Sequence, residues 1–292
     1  MPSHPEGQPE FRVPPRGCDA HFHVFGPPER YPYGTGTSEK LRYAPPVAPL
    51  DEYLTFARRV GLERFVFVQP SAYGRDNACL LDAMRAVPGS RGIVDVDENV
   101  ADAELERLHA AGARGVRINT SPVKPPEAGY AATLLPRIER LEARCREIGW
   151  QLDFLTPGWL TTELMGTLRR LRVDFTVAHM GMYLARDGVS QPGFQQFLDL
   201  LRHEEGRCWV KLTGVYRMSS LPGFADAAPM AEALIAAAAD RLIWGSDYPH
   251  LSFADRAGSV ELLNALGRWA PDAATRQKIL VDNPQQLYRF DS

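Results

Sequence analysis

The chain has 292 residues, 45% of them apolar, and a formal net charge of −3. A chain of this size and composition can bury a large core and fits one large α/β domain. The small negative charge supplies no basic field for nucleic acid, and no run of about 18 apolar residues is present to span a membrane. These two classes of partner are therefore excluded, and a protein that acts on small molecules is favoured.

The N-terminal segment is polar and proline-rich, and it lacks the apolar stretch of a signal peptide. We expect a flexible arm over residues 1–16, followed by a single domain over residues 17–292. The four cysteines are widely spaced without a metal-ligand pattern, which agrees with a reducing compartment. The sequence therefore predicts a cytoplasmic protein, and we expect a monomer or a small homo-oligomer.

Short apolar or β-branched runs alternate with amphipathic helical patterns along the whole chain. The predicted strands cover residues 18–25, 64–70, 92–96, 115–119, 151–155, 174–179, 208–213 and 241–247. The predicted helices cover residues 50–60, 78–86, 102–111, 134–148, 162–171, 193–201, 229–238 and 260–266. Eight such βα units predict a (β/α)8 TIM barrel. An open doubly wound sheet is the alternative, but no G-x-G-x-x-G turn follows the first strand.

The connection over residues 26–49 is long, rich in Pro, Gly and Tyr, and without helical periodicity. A loop of this length in a compact domain is usually functional or disordered. Because it leaves the end of the first strand, we expect it to act as a lid over the site.

Polar side chains gather at the predicted strand ends, where TIM-barrel enzymes place their chemistry. His21 and His23 are two residues apart, so they face the same side of an extended strand. Asp247 is the carboxylate among these strand-end candidates and is the natural general base for water. Together with His179, the two histidines can bind a divalent metal or donate hydrogen bonds to a carbonyl and its oxyanion.

Substrate contacts are expected from other strand ends. Arg117 and Arg217 offer planar guanidinium groups that match a carboxylate through two hydrogen bonds. Ser71 follows the second strand and Asn119 ends the fourth, while Lys211 is interpreted as an ion-pair partner inside the barrel. This inventory predicts hydrolysis of an anionic carbonyl compound.

Several fragments resemble one known family when they are taken together. They are Asp-Ala-His-Phe-His from Asp19, Val-Gln-Pro-Ser from Val68, Arg-Gly-Val-Arg-Ile-Asn from Arg114, Ala-His-Met-Gly from Ala178, Lys-Leu-Thr-Gly from Lys211 and Trp-Gly-Ser-Asp-Tyr-Pro-His from Trp244. From about Cys18 to Tyr288 the chain resembles the amidohydrolase superfamily, most closely its 2-pyrone-4,6-dicarboxylate lactonases and related lactone hydrolases.

The resemblance implies a distorted TIM barrel that opens a lactone ring with water, as part of the breakdown of aromatic compounds. It implies that Asp247 is the base and that His21, His23 and His179 surround the lactone carbonyl. It also implies that Tyr43, Ser71, Arg117 and Arg217 contact the substrate.

Two departures from the family pattern matter. The fifth strand carries no histidine, so a zinc ion would have at best His21, His23, His179 and Asp247. Since the pyrone lactonases work without metal, a metal-independent enzyme is favoured and zinc remains the alternative. After Asn119 the chain reads Thr-Ser-Pro-Val-Lys in place of a further substrate arginine. Lys124 is the candidate substitute, and the exact lactone is left open.

Three other functions remain alternatives. One is a metal-dependent decarboxylase of the same superfamily, and another is a sugar-acid lactonase or isomerase. The third is a barrel that binds a small acid without catalysis, which Asp247 disfavours because a carboxylate beside an anion weakens binding.

Overall fold

The computed structural model describes residues 7–33, 47–120, 125–203 and 206–291. Eight parallel strands form one sheet in sequential order. They are β1 Cys18–Phe22, β2 Arg64–Val68, β3 Arg91–Val94, β4 Ala113–Asn119, β5 Gln151–Leu155, β6 Phe175–Val177, β7 Cys208–Leu212 and β8 Leu242–Trp244. The predicted (β/α)8 TIM barrel is confirmed.

Helices pack outside the strands and bury their apolar faces against them. They are α1 Leu50–Val60, α2 Ala78–Ala86, α3 Asp102–Ala110, α4 Tyr130–Ile148, α5 Gly158–Glu163, α6 Met165–Leu168, α7 Pro192–Arg202, α8 Ala228–Ala238, α9 Ser259–Trp269, α10 Ala273–Gln277 and α11 Asn283–Tyr288. The helix predicted over residues 162–171 is instead the pair α5 and α6. Helix α5 begins directly after Pro157, which is extended at ψ 155°. None of the helices in the described ranges is long and apolar enough to cross a membrane.

The barrel closes where β8 meets β1. The Asp247 backbone N–H donates to the His21 carbonyl at 2.8 Å, and the His23 N–H donates to the Tyr248 carbonyl at 2.9 Å. The buried Asp19 carboxylate strengthens this seam, because its Oδ1 accepts from the backbone N–H groups of His21 at 3.1 Å and Ser246 at 3.0 Å. The first and last strands therefore hold their polar residues at one fixed separation.

Two apolar clusters form the core. The larger one lies between the strands and the helices, whereas a smaller one includes Ala20, Val68, Ile93, Trp209 and Ile243. The members of the smaller cluster come from several strands and fill part of the barrel interior, as expected for this fold. Charged residues replace apolar ones nearer the carboxyl ends of the strands.

Several strands end earlier than the sequence predicts. Strand β6 ends at Val177 and β8 ends at Trp244, two and three residues before the predicted ends. The chain turns out of the sheet at this end, and His179 and Asp247 each have φ of 53°. Non-glycine residues adopt this left-handed region rarely, and where they do the site is often functional.

The two ends of the long connection between β1 and α1 are held together by a backbone bridge. Phe25 and Ala48 pair in an antiparallel bridge with backbone hydrogen bonds of 3.0 and 2.9 Å. Residues 34–46, which include Tyr43, lie outside the described residues. A lid over the site therefore stays a prediction.

Part of the predicted N-terminal arm contacts the barrel. The Glu10 backbone N–H donates to the Asn264 side chain on α9 at 2.8 Å, and Val13 is buried. The division into an arm over 1–16 and a domain over 17–292 stays a prediction.

Candidate active site

Asp247 stands at the centre of a buried polar cluster at the carboxyl end of the barrel. Its Oδ1 lies 3.4 Å from Nε2 of His21 and 3.5 Å from Nε2 of His23. Its Oδ2 lies 3.9 Å from Nε2 of His179. The structure thus brings together the four residues that the sequence analysis singled out for chemistry.

Two glycines make room for these imidazoles. A Cβ on Gly245 would come 2.5 Å from the Cβ of His21, and a Cβ on Gly214 would come 2.3 Å from Nδ1 of His179. Gly214 also has a φ of +58°, which favours glycine. The Trp-Gly-Ser-Asp and Lys-Leu-Thr-Gly segments therefore contain glycine because a histidine of this cluster occupies the space that a Cβ would need.

The hydrogen bond of His23 decides which of its ring nitrogens carries the proton. Its Nδ1 lies 2.8 Å from the Val68 carbonyl oxygen. A carbonyl only accepts, so Nδ1 is protonated and the neutral ring presents a bare Nε2 to the site. This differs from the expectation that all three histidines donate to a substrate carbonyl, because the end of β2 uses the donor of His23.

A second set of contacts joins His21 to buried polar side chains in the barrel interior. Lys211 Nζ lies 3.3 Å from Nδ1 of His21 and makes a short ion pair with Asp153. Asp153 also accepts from the Thr176 hydroxyl at 2.8 Å, and its other oxygen lies 3.8 Å from Nε of Arg117. Lys211 and Asp153 are fully buried, so this interior layer links β4, β5, β6, β7 and β1.

Arg117 and Arg217 reach the site from different parts of the barrel. Arg117 is buried on β4 and donates to the Gln69 carbonyl. Arg217 lies just after β7 with its side chain 24% exposed, and its Nη2 is 3.3 Å from Oδ2 of Asp247. Both line a pocket that also contains Ser71, His23 and His179. Two cations on one pocket favour an anionic ligand.

Burial and the surrounding charges fix the protonation states. Burial lowers the pKa of His21, His23 and His179, in the last case to about 3, so these rings are neutral near pH 7. Burial alone would raise the pKa of Asp247, but His179 and Arg217 hold it well below its usual range. At neutral pH the site therefore holds an ionised carboxylate among neutral imidazoles.

In the ion pair between Lys211 and Asp153, burial and the charge of the partner also act on each pKa in opposite directions. Burial lowers the pKa of Lys211, and the Asp153 carboxylate opposes that effect. Burial would raise the pKa of Asp153, but Lys211 and Arg117 hold it well below its usual range. The short contact between Lys211 Nζ and Asp153 Oδ2 is that of a buried ion pair.

The cluster includes a group of side chains that can hold a metal ion. One donor atom each from His21, His179 and Asp247 lies within 4.8 Å of the others. His21 Nε2 is buried without a hydrogen-bond partner. Imidazole and carboxylate donors suit a divalent ion such as zinc. His23, the fourth predicted ligand, does not belong to this group.

The remaining predicted site residues differ in their positions. Ser71 begins a 3-10 turn after β2 and lines the pocket. Asn119 is the last residue of β4 and is half-buried, but it is not among the described residues that line the pocket. Tyr43 and Lys124 lie outside the described residues.

Sequence reasoning missed two residues that contact the site. Tyr216 donates its hydroxyl hydrogen bond to Oδ2 of Asp247. Asp153 is a charged residue between the apolar Leu152 and Phe154 on β5, and a buried charge on a barrel strand was the signal that could have found it. Tyr216 had no such signal, since a tyrosine beside an arginine is common on loops.

The chain is similar in sequence to one protein family and to several named enzymes. The amidohydrolase family profile matches residues 18–290. The 4-sulfomuconolactone hydrolase of Hydrogenophaga intermedia is 35% identical, over 98% of this chain and 93% of that protein. The 2-pyrone-4,6-dicarboxylate hydrolase of Comamonas testosteroni is 32% identical, over 96% of this chain and 92% of that protein.

A solved structure gives the same result. A Pseudomonas putida protein, provisionally named a 2-pyrone-4,6-dicarboxylic acid hydrolase, superposes with a TM-score of 0.79 at 33% identity. The match covers 95% of this chain and 98% of that one. The likeness in sequence and fold therefore extends over nearly the whole length of each protein.

Proposed function

The chain belongs to the amidohydrolase family, and from this membership and the site geometry we propose that it opens the ring of an anionic lactone with water. The observation that carries the proposal is the Asp247 carboxylate, which lies within 4 Å of three imidazoles at the carboxyl end of the barrel. Relatives named for hydrolysing 4-sulfomuconolactone and 2-pyrone-4,6-dicarboxylate support the substrate class. The protein is thus an enzyme, a hydrolase that acts on a lactone ester.

The acidic group of the substrate binds to the two arginines. Arg217 is partly exposed at the pocket and presents its guanidinium next to Asp247. Arg117 is fixed by Gln69 and Asp153, so its orientation is set before the substrate arrives. A guanidinium held in place loses little entropy on binding a carboxylate or sulfonate. The ester carbonyl is then directed toward the histidines.

Asp247 and His23 act on the hydrolytic water. Oδ1 of Asp247 and the bare Nε2 of His23 are two acceptors 3.5 Å apart. A water molecule that donates to both directs a lone pair at the carbonyl carbon. Asp247 then takes a proton as the oxygen attacks, which is general-base catalysis.

Hydrogen-bond donors from two histidines stabilise the oxyanion. The imidazoles of His21 and His179 lie beside the carboxylate, and preorganised donors of this kind lower the barrier most when they are buried. As the tetrahedral intermediate collapses, the bond from the carbonyl carbon to the ring oxygen breaks. Protonated Asp247 returns its proton to that oxygen, which leaves a new carboxyl group at one end of the opened ring and a hydroxyl group at the other.

We propose that the reaction needs no metal. If an ion were bound, His21, His179 and Asp247 would hold it, and it would polarise the carbonyl and lower the pKa of water. However, Arg117, Arg217 and Lys211 already face Asp153 and Asp247 in this part of the described structure. A further divalent cation would add to an excess of positive charge that the anionic substrate itself can balance.

A lactone panel tests the proposal. Purified protein is treated with a chelator until metal analysis finds no bound ion, and is then assayed with pyrone dicarboxylate, muconolactones, a sulfonated muconolactone and aldonolactones. We expect hydrolysis of at least one acidic lactone at an unchanged rate after metal removal. Loss of activity that zinc restores would contradict the metal-free route and favour the metal-dependent alternative, whereas activity on aldonolactones alone would favour a sugar-acid lactonase.

The cytoplasmic location and the monomeric or small homo-oligomeric state stay predictions from the sequence.

A further inference from the structure

Lys211 contacts an imidazole of the site from the interior of the barrel, and it is not among the described residues that line the pocket. Its Nζ lies 3.3 Å from His21 Nδ1, and the lysine is fully buried. Asp153 makes the ion pair that holds this ammonium group in position. The hydrogen-bond contact of this lysine with the site is made to His21.

An ammonium group has hydrogens to donate and no lone pair to accept with. When it points at His21 Nδ1, that nitrogen must be the acceptor and cannot carry the ring proton. The neutral imidazole then carries its proton on Nε2. This nitrogen is buried without a hydrogen-bond partner and lies 3.4 Å from Oδ1 of Asp247.

His23 has the opposite arrangement, although it is only two residues away. The Val68 carbonyl at 2.8 Å accepts from its Nδ1, so its Nε2 is bare. The two rings lie with their centroids 5.1 Å apart at an interplanar angle of 79°. One ring therefore presents a donor to the site and its neighbour presents an acceptor.

We propose that Lys211, held by Asp153, is a positioning residue that fixes His21 as the Nε2–H tautomer and so makes it the hydrogen-bond donor for the substrate carbonyl. In this form His21 offers no lone pair on Nε2 to a metal ion. The tautomer does not depend on the proposed lactonase function, but its effect on turnover does.

Three substitutions separate this role from a general effect on folding. Lys211→Met removes the ammonium group and keeps much of the side-chain volume. Because it leaves the Asp153 carboxylate buried without its partner, the double variant Lys211→Met/Asp153→Asn removes both charges together. Lys278→Met is the matched control, since Lys278 is exposed.

The readout is long-range proton–nitrogen NMR of the full chain with 15N-labelled histidine, in which the two neutral tautomers give different cross-peak patterns. His21→Gln assigns the signals of His21. We expect wild-type His21 to be the Nε2–H form and His23 to be the Nδ1–H form. In the Lys211 variants His21 should shift toward the Nδ1–H form while His23 keeps its pattern.

Kinetics give the second readout. We expect kcat for the best acidic lactone to fall about tenfold to a hundredfold in the double variant with little change in KM, since an oxyanion donor acts mainly in the transition state. A wild-type His21 protonated on Nδ1, or a tautomer that is unchanged without Lys211, would overturn the proposal. If no lactone is hydrolysed but the tautomers are as expected, the proposed function fails and the role of Lys211 stands.

Discussion

The imidazole of His179 occupies the space that a side chain on Gly214 would need, since a Cβ there would come 2.3 Å from His179 Nδ1. Gly214→Ala should therefore displace His179 from Asp247. We expect kcat to fall at least about tenfold, because a small misplacement of a reacting group is costly. The left-handed backbone at this position adds about 1–2 kcal/mol of destabilisation.

Gly223→Ala is the matched control for this experiment. Gly223 has a similar φ of +65°, but nothing lies within 4 Å of the Cβ position. In denaturant titrations, the free energy of unfolding of Gly223→Ala should fall by an amount similar to that of Gly214→Ala. Its kcat should stay near the wild-type value. Equal kinetic losses in the two variants would show that backbone strain, and not the position of His179, controls turnover.

Asp247→Asn should abolish most of the activity while preserving the fold. The amide keeps the shape of the side chain but cannot take a proton from water, and a positioned general base contributes about 10²–10⁴ to the rate. The measurement is kcat at saturating lactone, with thermal unfolding as a check on folding. Asp187→Asn is the control because that side chain is 53% exposed, and intact turnover in Asp247→Asn would remove Asp247 as the base.

Arg217→Met should raise KM for an acidic lactone about tenfold to a hundredfold, as expected for the loss of a charge-assisted hydrogen bond of about 1.5–3 kcal/mol. Arg217→Lys should restore this only in part, because an ammonium group does not reproduce the planar guanidinium. The exposed Arg186 provides the control variant Arg186→Met. An unchanged KM in Arg217→Met would remove Arg217 from the substrate pocket.

The pH profile follows from the directions of the pKa shifts. The pKa of Asp247 lies well below its usual range and that of His179 is about 3. Asp247 therefore stays ionised, and His179 stays neutral, as the pH falls from neutrality into the mildly acidic range. We expect kcat/KM of the metal-stripped enzyme to be nearly constant between about pH 5 and 8. A transition near pH 6.5, typical of an exposed histidine, would contradict these assignments.

Much of this site could be predicted from the sequence because the residue patterns of strands and helices involve only neighbouring residues in the chain. The alternation of strands and helices indicates the barrel, and in a barrel the carboxyl ends of all strands meet at one end. His21, His23, His179, Asp247 and the two arginines therefore follow from their places at strand ends.

The tertiary structure alone decided what each of these side chains does. Whether an imidazole donates or accepts depends on its neighbours, and those of His21 and His23 are Lys211 on β7 and Val68 on β2. Asp153 was missed for the same reason, since its partners Lys211 and Arg117 come from other strands. The sequence thus determined the fold and the candidate residues at the strand ends, but proton positions and ion pairs arise from contacts between distant segments, which only the closed barrel creates.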